Sequence, residues 1–212
     1  MKKRITSLLL CLIMVLAMAV PASAAYAPQH TAKAEILYEL GLFRGTGTNP
    51  DGTPIFALDK TATRMQGLIM LIRLLGEEEA ALAYEGACPF TDVKAGSYYE
   101  QAIAWAAENG IVNGFGPTTF RPDDTITREQ FAAILYRYAK DYKGYDVSVG
   151  EDTNILSYND AFSVSEYAIP AMQWACGAGL MNGSDGNLLP ASGATRAQAA
   201  ALLHRFCTKI LH

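Results

Sequence analysis

FRPDDTITREQFAAILYR, residues 120–137, contains a tetrad, T-R-x-Q, that occurs three times in the chain, at residues 63–66, 127–130 and 195–198. The tetrad is typical of a capping box, in which the Thr hydroxyl accepts from a backbone N–H of the first helical turn and the Gln side chain accepts from the backbone N–H of the Thr. Apolar residues then follow at helical spacing, here Phe131, Ile134, Leu135 and Tyr138. Each tetrad therefore predicts the start of a helix with one buried face.

A glycine motif precedes each tetrad and completes a longer repeat. It reads LGLFRG at residues 40–45, NGIVNG at 109–114 and AGLMNG at 178–183. Its first glycine suits the residue after a helix, where the backbone turns left-handed, and two apolar residues then return to the core. The first glycines, Gly41, Gly110 and Gly179, are spaced 69 residues apart. The repeat predicts a mostly α-helical protein of three tandem helix–loop–helix modules.

The predicted domain boundaries start with a secretory signal peptide over residues 1–24. It has a basic start, an apolar run over residues 8–20 and a small-residue cleavage signal that ends at Ala24. The modules are predicted at residues 25–87, 88–147 and 148–212. The first module diverges, because it lacks the F-x-D and Trp positions of the second. No integral membrane span is expected in the mature chain.

An arginine occupies the second tetrad position in all three modules: Arg64, Arg128 and Arg196. Capping does not require it, and the positive end of the helix dipole mildly disfavours it. Either the arginine pairs structurally with a nearby carboxylate, or its guanidinium joins free helix N-terminal amides in an anion site. Recurrence in otherwise divergent modules favours three anion sites. Loss of one arginine at such a site is expected to weaken binding by on the order of 1.5–3 kcal/mol with little effect on folding, because the first helical residue is not expected in the core.

Further candidate ligand-binding residues lie in the glycine motifs and on the first helices. Gly45, Gly114 and Gly183 either let the backbone approach a ligand or serve turns that require a positive φ; Asn113 and Asn182 precede two of them. Trp105 and Trp174 either stack on sugar rings or belong to the core.

The second module is similar to an S-layer homology (SLH) domain. F-x-D at residues 90–92, Trp105, the glycine motif, F-R-P at residues 120–122 and the tetrad occur in the family's order. The third module is recognisable, whereas the first rests on its glycine motif and tetrad alone. The resemblance implies a pseudo-threefold bundle, secreted and held at the bacterial cell wall or surface layer. It also implies non-covalent binding of a secondary cell-wall polysaccharide attached to peptidoglycan, often through a pyruvate ketal on N-acetylmannosamine, with the three tetrad arginines as ligand contacts.

Other functional classes find less support. The chain has no catalytic motif and no metal-ligand spacing, so we predict neither an enzyme nor a cofactor or metal site. A net charge of −4 argues against nucleic acid as a partner. The alternative function is a structural or assembly protein that packs with other cell-surface proteins. Cys176 and Cys207 either form a disulfide or are small buried hydrophobic residues.

Overall fold

A computed structural model describes residues 28–211, so the signal peptide predicted at residues 1–24 lies outside the described part. The main elements are α1 (Pro28–Glu39), β1 (Gly47–Thr48), β2 (Pro54–Ile55), α2 (Arg64–Leu74), α3 (Glu78–Leu82), α4 (Glu100–Glu108), α5 (Arg128–Arg137), α6 (Ile169–Gly177) and α7 (Arg196–Lys209). One π-helical turn (Tyr138–Tyr142) and three 3-10 turns (Ser148–Gly150, Ala161–Ser163 and Glu166–Ala168) complete them. The predicted mostly α-helical class is confirmed. No helix within the described residues has the length and apolar character to span a membrane.

The chain divides into two compact units. Of the described residues, the terminal unit contains 28–61 and 195–211, and the central unit contains Ala62–Ala194. This division does not follow the predicted module boundaries, which stay a prediction, as does the pseudo-threefold packing.

In the terminal unit, α1 packs against α7. Leu37, Phe43 and Phe206 are among its buried side chains. The loop after α1 contains the short antiparallel hairpin β1–β2, in which Gly47 pairs with Ile55.

In the central unit, α5 packs against α6, and α3 packs against α4. Its buried side chains include Phe120, Phe131 and Trp174. The loop after α4 leads to the capped helix α5, and the loop after α6 leads to the end of the unit.

The predicted helix ends are confirmed. Capping boxes begin α2, α5 and α7, with the hydroxyls of Thr63, Thr127 and Thr195 accepting from the N–H groups of the respective tetrad glutamines at 3.2, 3.3 and 3.2 Å. The first motif glycines are left-handed, as expected, with φ of +71° at Gly41, +66° at Gly110 and +62° at Gly179.

A carboxylate clamp shapes the loop in each of the second and third modules. Asp92 accepts from the N–H groups of Phe120 and Arg121 at 2.8 and 2.7 Å. Asp160 accepts in the same way from Leu188 and Leu189, both at 2.7 Å. The second residue of each pair has a left-handed backbone, with φ of +60° at Arg121 and +55° at Leu189. A non-glycine residue there is strained, so the two donated bonds stabilise a turn that the chain would otherwise disfavour.

We predict that the clamps make stability depend on acidity. Burial raises the pKa of Asp92 and Asp160, but the backbone N–H donors outweigh it and lower both below the ordinary value of 3.8. The folded state then binds fewer protons than the unfolded chain, so the clamps stabilise fully above about pH 4 and lose their effect as the pH falls through the folded pKa values. Asp92→Asn with Asp160→Asn should lower the free energy of unfolding at pH 7 by about 1 kcal/mol per clamp, a small value because the carboxylates are largely solvated.

Urea denaturation at pH 7 and at pH 3 measures this effect. Asp123→Asn in the same loop is the control, since its side chain is exposed and should leave stability unchanged. A double variant that loses as much stability as the wild type between the two pH values would contradict the clamp.

Candidate anion-binding site

The three tetrad arginines are buried. Arg64, Arg128 and Arg196 expose 4%, 9% and 5% of their surfaces. The expectation that the first helical residue stands outside the core is therefore wrong at all three positions. Their positively charged side chains require hydrogen-bond partners in the protein.

Backbone carbonyls of a neighbouring loop supply those partners. In each case Nε donates to the backbone carbonyl of Phe120 or of the residue equivalent to it. Nη2 donates to the backbone carbonyl of the residue before the second motif glycine. The Nε bonds are Arg64 to Phe120 (2.8 Å), Arg128 to Leu188 (2.9 Å) and Arg196 to Phe56 (2.8 Å); the Nη2 bonds are to Asn113 (3.4 Å), Asn182 (3.0 Å) and Arg44 (2.7 Å), in the same order. Each guanidinium thus joins both ends of a loop in the next module, or in the first module for Arg196.

The helix N-terminal amides are also occupied. At α2, the N–H groups of Arg64 and Met65 donate to the carbonyls of Asp124 and Pro122 at 2.9 and 3.0 Å. At α5 and α7 the first two N–H groups donate to backbone carbonyls in the same way. The expectation of free amides at these helix ends is therefore wrong, and they cannot supply an anion site by themselves.

The central unit contains a cavity of about 260 Å³ beside Arg64. It brings together three of the predicted ligand-binding residues, Arg64, Asn113 and Gly114. Six further residues line it: Phe115, Gln130, Ala133, Ile134, Arg137 and Tyr167. These side chains come from α2, α5, the loop after α4 and the 3-10 turn before α6.

The cavity carries two positive charges without an ion-pair partner in the described residues. Arg64 and Arg137 both line it, and within the described residues neither guanidinium has a carboxylate oxygen within 4.0 Å. Burial lowers the pKa of both arginines. For Arg64 the charge of Asp124 opposes this effect and that of Arg137 adds to it, and for Arg137 the charge of Asp141 opposes it. Arginine nevertheless stays charged in proteins. An anion in this cavity would therefore relieve an electrostatic cost.

The two guanidiniums differ in how many of their donors are used. Arg64 donates from all three nitrogens, the third bond being Nη1 to Gln130 Oε1 at 3.3 Å, and its guanidinium lies over the rings of Phe115 and Phe120 at 4.6 and 4.7 Å. Arg137 donates from Nε to the Ile111 carbonyl at 3.0 Å. In the described part of the chain its terminal nitrogens have no hydrogen-bond acceptor, so Arg137 has the donors available for a ligand.

The other predicted residues have structural positions. Trp105 and Trp174 expose 6% and 0% of their surfaces and pack edge-on against Tyr142 and Tyr136, in agreement with their interpretation as core residues. They are not available to stack on a sugar. The asparagines Asn113 and Asn182 contact the tetrad arginines through their backbone carbonyls.

The second motif glycines are needed because the loop approaches itself closely. A Cβ at Gly114 would lie 2.4 Å from the Thr119 carbonyl oxygen, and a Cβ at Gly183 would lie 2.6 Å from that of Asn187. At Gly45 the nearest carbonyl oxygen would be at 3.0 Å. None of the three has a positive φ, so that explanation is wrong for all of them.

Sequence reasoning missed Arg137 and Tyr167. Arg137 follows Arg128 by nine residues, and the same spacing leads from the other tetrads to Arg73 and Arg205; this second repeated arginine was the available signal. Arg73 pairs with Glu78 at 2.8 Å, so its charge is neutralised where that of Arg137 is not. Tyr167 gave no such signal, because it enters the cavity from another module.

Cys88, Cys176 and Cys207 are free thiols in the described residues. Cys207 is buried, and burial raises the pKa of its thiol to about 12. It packs as a small hydrophobic residue, in agreement with the second of the two interpretations.

A comparison with known protein families agrees with the observed repeats. The model of the S-layer homology domain matches residues 89–132 and 157–200. These two segments belong to the S-layer homology family. The first module lies outside the matched segments, so an SLH domain there stays a prediction, and so does the complete set of three.

Curated relatives share the SLH region. The exoglucanase XynX of Acetivibrio thermocellus is 36% identical over 151 residues, 71% of this chain and 13% of the relative. The surface-layer 125 kDa protein of Lysinibacillus sphaericus is 31% identical over 173 residues, 80% of this chain and 13% of the relative. The cellulosome-anchoring protein of A. thermocellus is 29% identical over 84 residues, 40% of this chain and 19% of the relative. The chain thus matches less than a fifth of each relative.

The buried arginines lead to a prediction about stability. Arg128→Ala or Arg196→Ala should lower the free energy of unfolding by on the order of 2–4 kcal/mol, because each removes the donor of two backbone carbonyls and leaves a cavity in place of a buried side chain. Urea denaturation measures the change. Arg121→Ala is the control, since its half-exposed guanidinium is 3.9 Å from Asp124 and should contribute less than about 0.5 kcal/mol. A tetrad variant as stable as wild type would contradict the structural role.

Proposed function

We propose that the chain attaches non-covalently to the bacterial cell wall by binding an anionic secondary cell-wall polysaccharide, with a pyruvate ketal as the charged group. The observation that carries this proposal is the cavity in the central unit, where two guanidiniums face a shared space and none of the described carboxylates lies within 4.0 Å of them. A pyruvate ketal presents one planar carboxylate, a shape that a guanidinium recognises with two parallel hydrogen bonds.

Family membership supports the location and the role. SLH domains and relatives named as a surface-layer protein and as a cellulosome-anchoring protein place this chain among proteins of the bacterial cell surface. An anchoring role requires binding rather than catalysis. The exoglucanase match lends no support to an enzyme activity, because it covers 13% of that relative.

The size of the cavity limits what it can hold. At about 260 Å³ it is slightly smaller than the sites of drug-sized ligands, which measure roughly 300–1,000 Å³. It therefore fits one charged sugar unit rather than a long stretch of polymer. The rest of the polysaccharide would extend over the surface beside the exposed ring of Phe115.

The residues of the cavity have separate tasks in this proposal. Arg137 donates its terminal N–H groups to the ligand carboxylate. Arg64 contributes positive charge while it remains bonded to the loop carbonyls, and Phe115 lies against both Arg64 and Arg121 at 4.6 and 4.3 Å. Arg128 and Arg196 act first as structural residues in the other loops, and any ligand contact from them is secondary.

The second candidate function is assembly with other cell-surface proteins. Exposed apolar side chains favour it, above all Phe162 and Leu156, which expose 92% and 63% of their surfaces. Their partner would be an apolar protein surface. Binding to purified cell walls separates this function from a glycan anchor.

We predict that Arg137→Gln weakens binding to cell-wall sacculi about 10–100-fold, because it removes charge-assisted hydrogen bonds worth roughly 1.5–3 kcal/mol. Co-sedimentation of residues 25–212 with purified sacculi measures the affinity, and sacculi stripped of the secondary polymer or of its pyruvyl groups should not retain the protein. The matched control is Arg73→Gln, which removes the equivalent arginine that is already paired with Glu78 and should bind as wild type does.

Two results would contradict the proposal. Equal binding to intact and stripped sacculi would exclude the secondary polymer as the ligand. Absence of binding, together with oligomers in gel filtration that depend on Phe162, would favour the assembly function instead.

A further inference from the structure

A buried carboxylate stands directly behind the cavity. Glu129, the second residue of α5, exposes only 6% of its surface. It accepts hydrogen bonds from Ser165 N at 3.0 Å, from Ser165 Oγ at 2.8 Å and from Tyr167 Oη at 3.3 Å. Glu129 therefore fixes the start of the 3-10 turn that brings Tyr167 to the cavity.

The hydrogen bond between Tyr167 and Glu129 has a defined direction. The phenol Oη is the donor and Glu129 Oε1 is the acceptor. At 3.3 Å the bond is longer than most O–H···O bonds. A phenol has only one proton, and this bond uses it. While that proton points to Glu129, the phenol oxygen presents only lone pairs to its other neighbours.

The phenol oxygen also lies near both arginines of the cavity. The charges of Arg137 and Arg64 act on it and favour its ionised form. Burial and the neighbouring Glu129 charge outweigh them and raise the pKa of Tyr167 to about 12. At neutral pH the side chain is therefore a neutral phenol whose proton is directed away from the guanidiniums.

We propose that Tyr167 is a specificity-determining residue that accepts a hydrogen bond from an O–H or N–H group of the ligand, next to the carboxylate bound by Arg137. This inference rests on the proposed function and concerns the same cavity. Two other lining side chains contain an oxygen. Gln130 Oε1 already accepts from Thr127 N and from Arg64 Nη1, whereas Asn113 is an exposed amide of the loop after α4. The cavity thus selects a carboxylate with a hydrogen-bond donor beside it, as on an acidic amino sugar, over a carboxylate that carries only acceptors.

A combined change in protein and ligand tests the inference. The probes are the methyl glycoside of 4,6-pyruvylated N-acetylmannosamine and two derivatives that lack either the 3-hydroxyl or the acetamido group. Calorimetry with the full mature chain measures their affinities for wild type and for Tyr167→Phe. We expect Tyr167→Phe to bind the parent compound roughly 3–10-fold more weakly. Wild type should bind one of the two derivatives more weakly than the parent compound by a similar factor. Tyr167→Phe should bind that derivative and the parent compound with equal affinity.

The control variant is Tyr98→Phe, which removes the phenol oxygen from the equivalent position of the second module, outside this cavity. It should bind all three probes as wild type does. Thermal unfolding identifies any loss of stability in Tyr167→Phe, and a purely structural effect would weaken all probes by the same factor.

The outcomes separate the inference from the proposed function. If wild type binds the parent compound and Arg137→Gln does not, but Tyr167→Phe binds it as tightly as wild type, the acceptor role is wrong and the anion site stands. If the effects of the protein change and of both ligand deletions simply multiply, the acceptor role is also wrong. If wild type does not bind the pyruvylated sugar, both proposals fail.

Discussion

The structure depends on a buried guanidinium that is bonded to backbone carbonyls. A loop that turns back on itself leaves carbonyl groups pointing inward, and each would be costly to bury without a donor. Arginine supplies several N–H donors in a rigid plane, so one side chain can satisfy carbonyls at both ends of a loop. Because the arginine and the loop are 49 to 152 residues apart in sequence, this bond also joins distant segments of the chain within each unit. The repeat keeps an arginine at the first helical position for this reason, in spite of the helix dipole.

The same constraint positions the cavity of the central unit. Arg64 holds both ends of the loop after α4, and the Asp92 clamp holds the end at Phe120 as well. Asn113, Gly114 and Phe115 reach the cavity from that loop. The fixed loop and the α5 helix then form walls around Arg137. A binding site made in this way is preorganised, because the groups that face a ligand are held by bonds that exist without it.

Local rules predicted the helix ends and the turns, because those depend on neighbouring residues. The capping boxes at the tetrads and the left-handed glycines at Gly110 and Gly179 are examples. The role of the tetrad arginines was not accessible in this way, since their acceptors lie 49 to 152 residues away in sequence. Sequence showed that the arginine recurs, but recurrence has the same appearance for a structural bond and for a ligand contact. Tyr167 was hidden for the same reason, because it meets Arg64 only in the folded chain.

A side chain cannot serve fully as a structural bond and as a ligand contact, and the repeat divides these tasks between two arginines. The first arginine uses its donors on carbonyls and is buried. The second arginine lies nine residues later on the same helix and is half-buried. The partner of its charge differs between the first and second modules. In the first module Glu78 pairs with Arg73 at 2.8 Å, whereas no carboxylate oxygen in residues 28–211 lies within 4.0 Å of the Arg137 guanidinium. A change in the charge partner of this second arginine alters the charge of a cavity without disturbing the carbonyl bonds of the first arginine. Repeated modules can therefore keep one architecture while only some of their cavities retain the unpaired charge that an anionic ligand requires.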